Sequence, residues 1–582
     1  MNNNTVAREL FEGFSGLGLS SARGKGAHRL DNFRVLADGS LEKREGIRQI
    51  AALPADIRGI YGFVDGVDEV VLAVSSNNLY RISAEGEQVT FAPCFETESG
   101  EVSFFEYEGI LYLLDGAQVY RYEGGCEAVK VCGYTPMYGV NWVPHSNAEN
   151  NPNQPNEAIN LFSPYVRIHY VTSGYADRLF VGLEIKQIRW VRGDEGLLTS
   201  GEYSLSEDKN TVIFSGRRYD SEVEICIALA DRYWRDSDFI STRAAAVYEA
   251  FDKSRVFFYG GNNPSALYIS VPLNGEARKS DRELFPESCG LYFPKTKEVV
   301  WGGGQPITAV GRIYDRMTVF FPSSLWVTER LEEVEGQEVQ LVPICHHMGC
   351  VPKHAAVMTG AASPISVTYD GIYRWRIDAD LLDECTATKI SGEVRALLGE
   401  SFLENAEICH RRGRAELWFR DRSRVDGQIL IYHLERGVWY SYSGLEADLM
   451  FAFGGGIGLV RGGRVFLFDE SLSEDRFADG EREIKAVYES GWLEFDGVGA
   501  EKRLAGATLI AALDGGGLSV TLEDGEPLAE VELSEHDAVA PDIYEPRMPS
   551  CRFRTARLTL VADGAARQRI YRAELLAQKG KQ

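Results

Sequence analysis

The sequence predicts an all-β protein: a β-propeller of about seven blades with one β-sandwich inserted into it and a second at the C-terminus. Three observations predict this. Gly, Asp, Asn and Ser clusters cut the chain into short Val, Ile, Leu, Tyr and Phe runs. One two-run pattern returns along most of the length, and long helical periodicity is almost absent. The fair helix candidates, ADLLDECTA and VRALLGESFLENA, are too short to carry a helical domain.

The recurring unit is a run of a few apolar residues, a tight polar turn, then a second run with an aromatic near its start. Copies read VVLAVSSNNLYRIS, ILYLLDGAQVYRYE, RVFFYGGNNPSALYIS, MTVFFPSSLWVTE, ISVTYDGIYRWRI, AELWFRDRSRVDGQILIYHLE and IGLVRGGRVFLFDE. Their second runs start near Leu79, Val119, Leu267, Leu325, Ile372, Leu430 and Val465. Most intervals are about 35 to 60 residues, the span of a four-stranded blade. Flanking runs such as RGIYGFV and QVTFAP bring each copy to four strands. A blade cannot bury both faces alone, so repetition around an axis completes the core. Tyr80, Tyr120, Tyr268, Trp326, Tyr373 and Phe466 recur with the blade and read as packing between blades.

The interval between Val119 and Leu267 is too long for one blade and locates an insertion. It opens with HSNAENNPNQPNEAIN, too polar to pack and read as a loop, then continues as five alternating strands from SPYVRIHYVTSG to SEVEICIALA. These make a small sandwich. After the last copy, SLSEDRFADGEREIK is charged and poor in apolar residues, a plausible boundary before a second antiparallel sandwich. The domains read as 1–56, an N-terminal arm; 57–132, the first blades; 133–243, the inserted sandwich; 244–482, the remaining blades; and 483–582, the C-terminal sandwich.

The arm contains NFRVLADGSLEKREGIRQI, a hairpin with Asp38-Gly39 at its turn and four charged residues, Glu42 to Glu45, in its second half. A propeller ring closes when one blade borrows a strand from the far terminus, and SLEKREGIRQIAAL is the unassigned candidate. On an outer edge strand, Lys43 and Arg44 would discourage pairing with the wrong chain, and Arg44 is expected to be solvated.

A net charge of -25 and a pI near 4.9 argue against a protein that grips phosphate backbones, which needs surplus Lys and Arg on the contact face. They leave room for a channel past which DNA slides, because carboxylates lining a lumen deny DNA the counterion release that drives binding. Ten cysteines spread through 582 residues read as mostly reduced and intracellular in origin, not as a disulfide scaffold. The N-terminus lacks a basic and then apolar leader, and no window approaches a membrane span. The expectation is a soluble chain without a classical export signal and without a membrane partner.

Three stretches carry a family resemblance. FEGFSGLGLS followed by DNFRVLADGSLEKREG, SRVFFYGGNNPSALYISVPLN, and GCVPKHAAVMTGAASPISVTYDGIYRW resemble podovirus-type phage tail nozzle or tail tubular proteins and the related head-completion "stabilisation" proteins; YESGWLEFDG is similar as well. The matching signature positions are Asn32, Gly39, Leu41, Arg44 and Gly46. The long insertion departs from the pattern. The resemblance implies a β-propeller subunit that assembles into a hexameric ring at the portal-distal end of the tail. Double-stranded DNA would pass through the lumen without specific binding, and the portal, adaptor and other tail proteins would be partners. Localisation would be the virion tail, with synthesis in the bacterial host cytoplasm.

Candidate chemistry is thin. CHHMGCVPKH holds Cys345, His346, His347, Cys350 and His354, and Cys345, His347, Cys350 and His354 are weak zinc candidates. Adjacent strand residues point to opposite faces, the spacing is loose, and a structural turn is the preferred reading. Cys126 and Cys132 read as buried thiols, not a redox pair. FGGGIGLVRGG resembles a glycine-rich nucleotide loop but has strand on both sides and no helix N-terminus, so it reads as blade turns. Neither Ser-x-Asp-x-Gly-x-Thr-Trp turns, a Gly-x-Ser-x-Gly elbow nor a Walker-type loop occurs. The sequence therefore reads as a non-enzymatic virion structural protein with no catalytic residue, cofactor or metal. The alternatives are a carbohydrate-binding or carbohydrate-cleaving β-propeller and a kelch-like or WD-like scaffold, the latter weakened by the absence of Gly-His and Trp-Asp repeats.

Overall fold

In a computed structural model of the protein, seven antiparallel blades close into a ring. The structure describes residues 6–579 apart from 12–13, 20–25, 87, 91–92, 125–127, 141–158, 172–175, 219–221, 251–252, 296–297, 301–303, 333–338, 360–362, 378–384, 426, 479, 496–499 and 541. Blades one to five occupy 57–90, 103–130, 244–300, 309–345 and 356–389, each a four-stranded sheet whose strands are neighbours in sequence. Blade six begins with four strands in 406–442. Blade seven has three strands in 449–469, and its fourth, Gly46–Ala52, comes from the far end of the chain and pairs antiparallel with Arg464–Asp469. The innermost strands follow one another around the axis, and that of blade seven, Leu449–Phe453, lies beside Ile57–Asp65 of blade one.

The core lies between blades, as period-two alternation on two-sided sheets requires. Ile50, Val71, Tyr80, Val460 and Val465 fill the seam of blades seven and one; Leu72, Leu111 and Tyr120 that of one and two; Phe105, Tyr112, Phe258 and Tyr268 that of two and three. The recurring aromatics Tyr80, Tyr120, Tyr268 and Phe466 are buried, while Trp326 and Tyr373 are half-buried. FGGGIGLVRGG is strand on either side of a two-residue turn at Gly454-Gly455, with a second turn at Gly462-Gly463.

The insertion is a sandwich: a five-stranded sheet, including Tyr165–Val171, Glu222–Leu229 and Ile185–Gly193, packs on a three-stranded one of Ala176–Phe180, Thr211–Arg218 and Tyr203–Leu205. Most of its Asn/Pro-rich entry, like Cys126, lies outside the described residues. It is tied to the propeller by the long excursion of blade three, where Cys132 bridges Ser288 and the buried Asn160 side chain donates to the Tyr134 and Leu291 carbonyls at 2.8 and 2.9 Å. That excursion carries the longest helix described, Gly275–Leu284, capped by the Asn274 side chain; the sequence reading missed it because its Glu, Arg, Lys and Asp residues show almost no apolar stripe. VRALLGESFLENA forms a 3-10 turn and the short helix Glu400–Asn405. In ADLLDECTA, Cys385–Ala387 belong to a strand and the rest lies outside the described residues.

The arm does more than close the ring. Val6–Phe11, Phe33–Val35 and Leu41–Lys43 join a sheet of the C-terminal sandwich, the first and last through its final strand Arg569–Lys579. Arg29–Asp31 bridges blade six and the sandwich, pairing parallel with Val438–Tyr442 and antiparallel with Ala486–Glu489. One nine-stranded sheet thus runs from blade six into the sandwich. The charged stretch read as a boundary forms an ordered hairpin, Glu474–Phe477 and Gly480–Glu483, laid outside Gly46–Ala52. Gly46–Ala52 is therefore covered on both sides, and the edge-strand reading of the arm is corrected.

Candidate functional site

The signature residues lie along one hairpin and its exit: Asn32, Arg44 and Gly46 where blades six and seven meet the sandwich, Gly39 and Leu41 at the turn end, against the last sandwich strand. Gly39 has φ +86° and turns the hairpin, with the Asp38 carboxylate accepting from the Ser40 backbone N–H at 3.0 Å, an Asx turn. Leu41 is fully buried opposite Val35 and Ile570. Asn32 takes φ +56°, a region Asn tolerates better than most residues. Its side chain there donates to the Lys485 carbonyl at 2.9 Å and accepts from the Ser443 N–H at 3.1 Å and from Arg44 Nε at 3.0 Å.

The expectation that Arg44 is solvated is overturned: it is 2% exposed. Its guanidinium clamps Asp475, itself 1% exposed, through both nitrogens at 2.8 and 2.7 Å, and a third donor reaches the Glu45 carbonyl at 2.9 Å. Asp475 also accepts from the Ile47 N–H at 3.2 Å. Burial of an arginine requires such full pairing, and the planar fork supplies it to a carboxylate on two bonds. Arg44 occupies no edge because the strands on either side of it belong to two different sheets, which enclose it.

The neighbouring charges are buried in the same way. Glu42 pairs with Arg34 and with Arg567 at 3.1 Å. The Lys43 ammonium donates to the Gly564 and Ala566 carbonyls; burial, the largest influence on it, pulls its pKa down to about 8. Glu45 meets Arg411 at 2.5 Å and Arg414 at 3.0 Å. Burial alone would raise the Glu45 carboxyl, but Arg411, Arg414 and Arg34 overcome it and hold the group at about 2. Behind Arg411, Glu416 accepts from Trp418 Nε1 at 3.0 Å and from the Tyr440 hydroxyl at 2.7 Å.

The sign of the Glu45 effect is fixed by its low folded pKa. Its contribution is fully present above the unfolded carboxyl range near 4.5 and is lost as pH falls towards about 2. Glu45→Gln is expected to cost up to about 3 kcal/mol at neutral pH, with the gap to the parent narrowing as pH drops from about 5 to about 3. Denaturant midpoints of both proteins across that range check it; a gap that stays constant contradicts the pairing.

The second candidate region is the propeller axis. Glu101, in the loop before blade two, places its carboxylate 3.9 Å from His354 Nε2, in the loop before blade five, and 4.0 Å from an Arg422 nitrogen of blade six. Blades two and five lie on nearly opposite sides of the ring, so these side chains span the mouth. Arg243, before blade three, donates to the Glu101 carbonyl. Nearer the other end, the Tyr61 hydroxyl donates to Glu106 at 2.8 Å, next to a cavity that His410 and Arg412 also line.

The zinc candidates are not brought together. Cys345 is half-buried and His347 exposed; Cys350 is fully buried, its thiol 3.3 Å from the Pro352 carbonyl; His354 turns to Glu101. Among the described residues no group of three His, Cys, Asp or Glu side chains is placed to hold a metal ion, and no helix is long and apolar enough to cross a membrane. Burial raises the Cys132, Cys226, Cys289, Cys350 and Cys409 thiols above their ordinary value, which keeps them unreactive.

No protein-family model matches the chain, and no curated protein does. Among solved structures, the chain is similar to a streptogramin B lyase at 9% identity and TM-score 0.36, over 73% of this chain and 97% of that one. It is also similar to U3-55K at 9% identity and TM-score 0.35, over 73% and 99%. A third is virginiamycin B lyase from Staphylococcus aureus, at 10% identity and TM-score 0.29, over 72% and 97%. The β-propeller fold is what this chain has in hand; its role rests on its own residues.

Proposed function

We propose that this protein is a non-enzymatic structural subunit of a phage virion, a tail nozzle or head-tail connector component that assembles into a hexameric ring lining or extending the DNA ejection channel. The observation that supports this reading most is the placement of Asn32, Gly39, Leu41, Arg44 and Gly46. Asn32, Arg44 and Gly46 sit at the buried junction of propeller and sandwich, and Gly39 and Leu41 shape the hairpin that pairs with the last sandwich strand. A subunit that transmits force along a tail needs its domains fixed relative to one another, and a continuous sheet plus buried bidentate pairing provides that. DNA would run between copies, because Glu101, His354 and Arg422 span the axis of the single propeller. The net charge of -25 suits a lumen past which DNA slides.

Peptide mass spectrometry of purified particles released by cells carrying the gene tests this. Co-purification with portal and capsid proteins is the expected result. A protein absent from particles that cleaves or retains a polysaccharide would replace this reading with the carbohydrate one.

A further inference from the structure

At the end of the propeller axis away from Glu101, a cavity of about 510 Å³ opens between the innermost strands of blades one, six and seven, a common size for a small-molecule site. Tyr61, Phe63, Ile408 and Phe453 form its apolar walls and are only half-buried, and Ala452 is exposed, so a ligand has surface to meet. Three charged side chains also line it, Glu69, Glu106 and Arg412, all of them exposed. Among the described residues none of the three forms an ion pair; Glu106 accepts from the Tyr61 hydroxyl at 2.8 Å through one of its oxygens.

Arg412 is held in place by its backbone. It opens the short turn Arg412–Arg414, where the Gly413 N–H donates to the Gly455 carbonyl at 2.9 Å. A Cβ at Gly413 would stand 2.8 Å from that oxygen, so the close approach needs glycine. The guanidinium is left to face the cavity with its donors unspent among the described residues. Glu69 stands on the same side, its carboxylate against Gly454 of the adjoining turn, while Glu106 comes from blade two. Burial, and after it Arg412, holds the His410 imidazole below its ordinary pKa, so it adds no positive charge near pH 7. The lining thus offers two carboxylates and one guanidinium.

The geometry points to a free basic amino acid as the ligand, its α-carboxylate taken by Arg412, its α-ammonium by Glu69 and its side-chain cation by Glu106. Lysine and arginine carry two cations and one anion, the complement of this lining. A guanidinium fork pairs with a carboxylate on two bonds, and the alkyl stem of such a ligand covers apolar wall while its charged end stays polar. The carboxyl-terminal lysine of a polypeptide shares the carboxylate and the side-chain cation but lacks the α-ammonium.

Calorimetric titration of the full-length protein with L-lysine and L-arginine should give saturable binding with at least one of them. Norleucine, which has no side-chain cation, and Nα-acetyl-lysine, which has no α-ammonium, should each bind about tenfold or more weakly, the value of one hydrogen bond to a charged group. Arg412→Gln should weaken lysine binding by a similar factor. Glu106→Gln should erase the preference for lysine over norleucine and leave norleucine unchanged, and Ala452→Trp should fill the cavity and block binding. All three positions are exposed, so the variants should fold. Nα-acetyl-lysine binding as tightly as lysine would assign the cavity to the end of a polypeptide and overturn the free amino acid. No saturable binding of lysine or arginine, or lysine affinity unchanged in Arg412→Gln, overturns the proposal.

Discussion

Arg44→Ala is expected to lower stability by about 3–5 kcal/mol, because it strands a buried carboxylate, Asp475, in the seam between blade seven and the sandwich. The magnitude follows from what remains behind. Asp475 would keep the Ile47 N–H and a long contact to Arg482 at 3.4 Å, but would lose both short bonds that neutralise it. Asn32 would lose one of its side-chain hydrogen bonds and keep those to the Ser443 N–H and the Lys485 carbonyl. Arg44→Lys should cost less, since it keeps the charge but cannot form two parallel bonds to Asp475 while reaching Asn32. Combining Arg44→Ala with Asp475→Asn should recover part of the loss, because the uncompensated charge goes with the carboxylate. Calorimetric unfolding of the four proteins checks all three statements. A loss under about 1 kcal/mol for Arg44→Ala would reduce the pair to the value of a surface salt bridge.

Gly46→Ala is expected to displace the closing strand. A Cβ at Gly46 would stand 1.8 Å from the Glu474 carbonyl oxygen and 3.0 Å from the Leu472 Cβ. Both belong to the segment that runs into the outer hairpin, and the first is backbone that no rotamer change can move. The cost should reach or exceed the roughly 1–3 kcal/mol of ordinary overpacking. It should concentrate on Gly46–Ala52 and its partner Arg464–Asp469, whose ladder is the ring closure. Amide exchange resolves this: protection should fall in those two strands first, while blades two to four stay protected. Gly506→Ala, where a Cβ meets nothing within 4 Å, serves as the control and should stay within about 0.5 kcal/mol.

The repeat was legible because a blade is a local object. Each second run, from Leu79 to Val465, lies in the third strand of its blade, since hairpin turns and alternating apolar residues are written in contiguous sequence. The insertion was legible for the same reason, through the interval it stretches. The charge run was not. Glu42 to Glu45 look like a solvated edge in sequence, and it takes partners more than 360 residues away, Arg411 and Asp475 among them, to turn them into a core. Asp475 itself lay in SLSEDRFADGEREIK, whose charge and few apolar residues suggested a domain boundary; a buried ionic network and an exposed one have the same composition. The one available signal was Gly46 directly after the charges, a residue type that marks close backbone approach inside a strand. Likewise nothing local placed Glu101 opposite His354 and Arg422, because contacts across the axis join loops from distant blades.

Single-particle imaging of this protein mixed with phage portal and adaptor proteins tests the tail-ring reading. The expected result is a hexameric ring stacked on the adaptor, with an open lumen between copies and each propeller axis closed at the Glu101 mouth. Monomers that remain unattached in the presence of both proteins would contradict it.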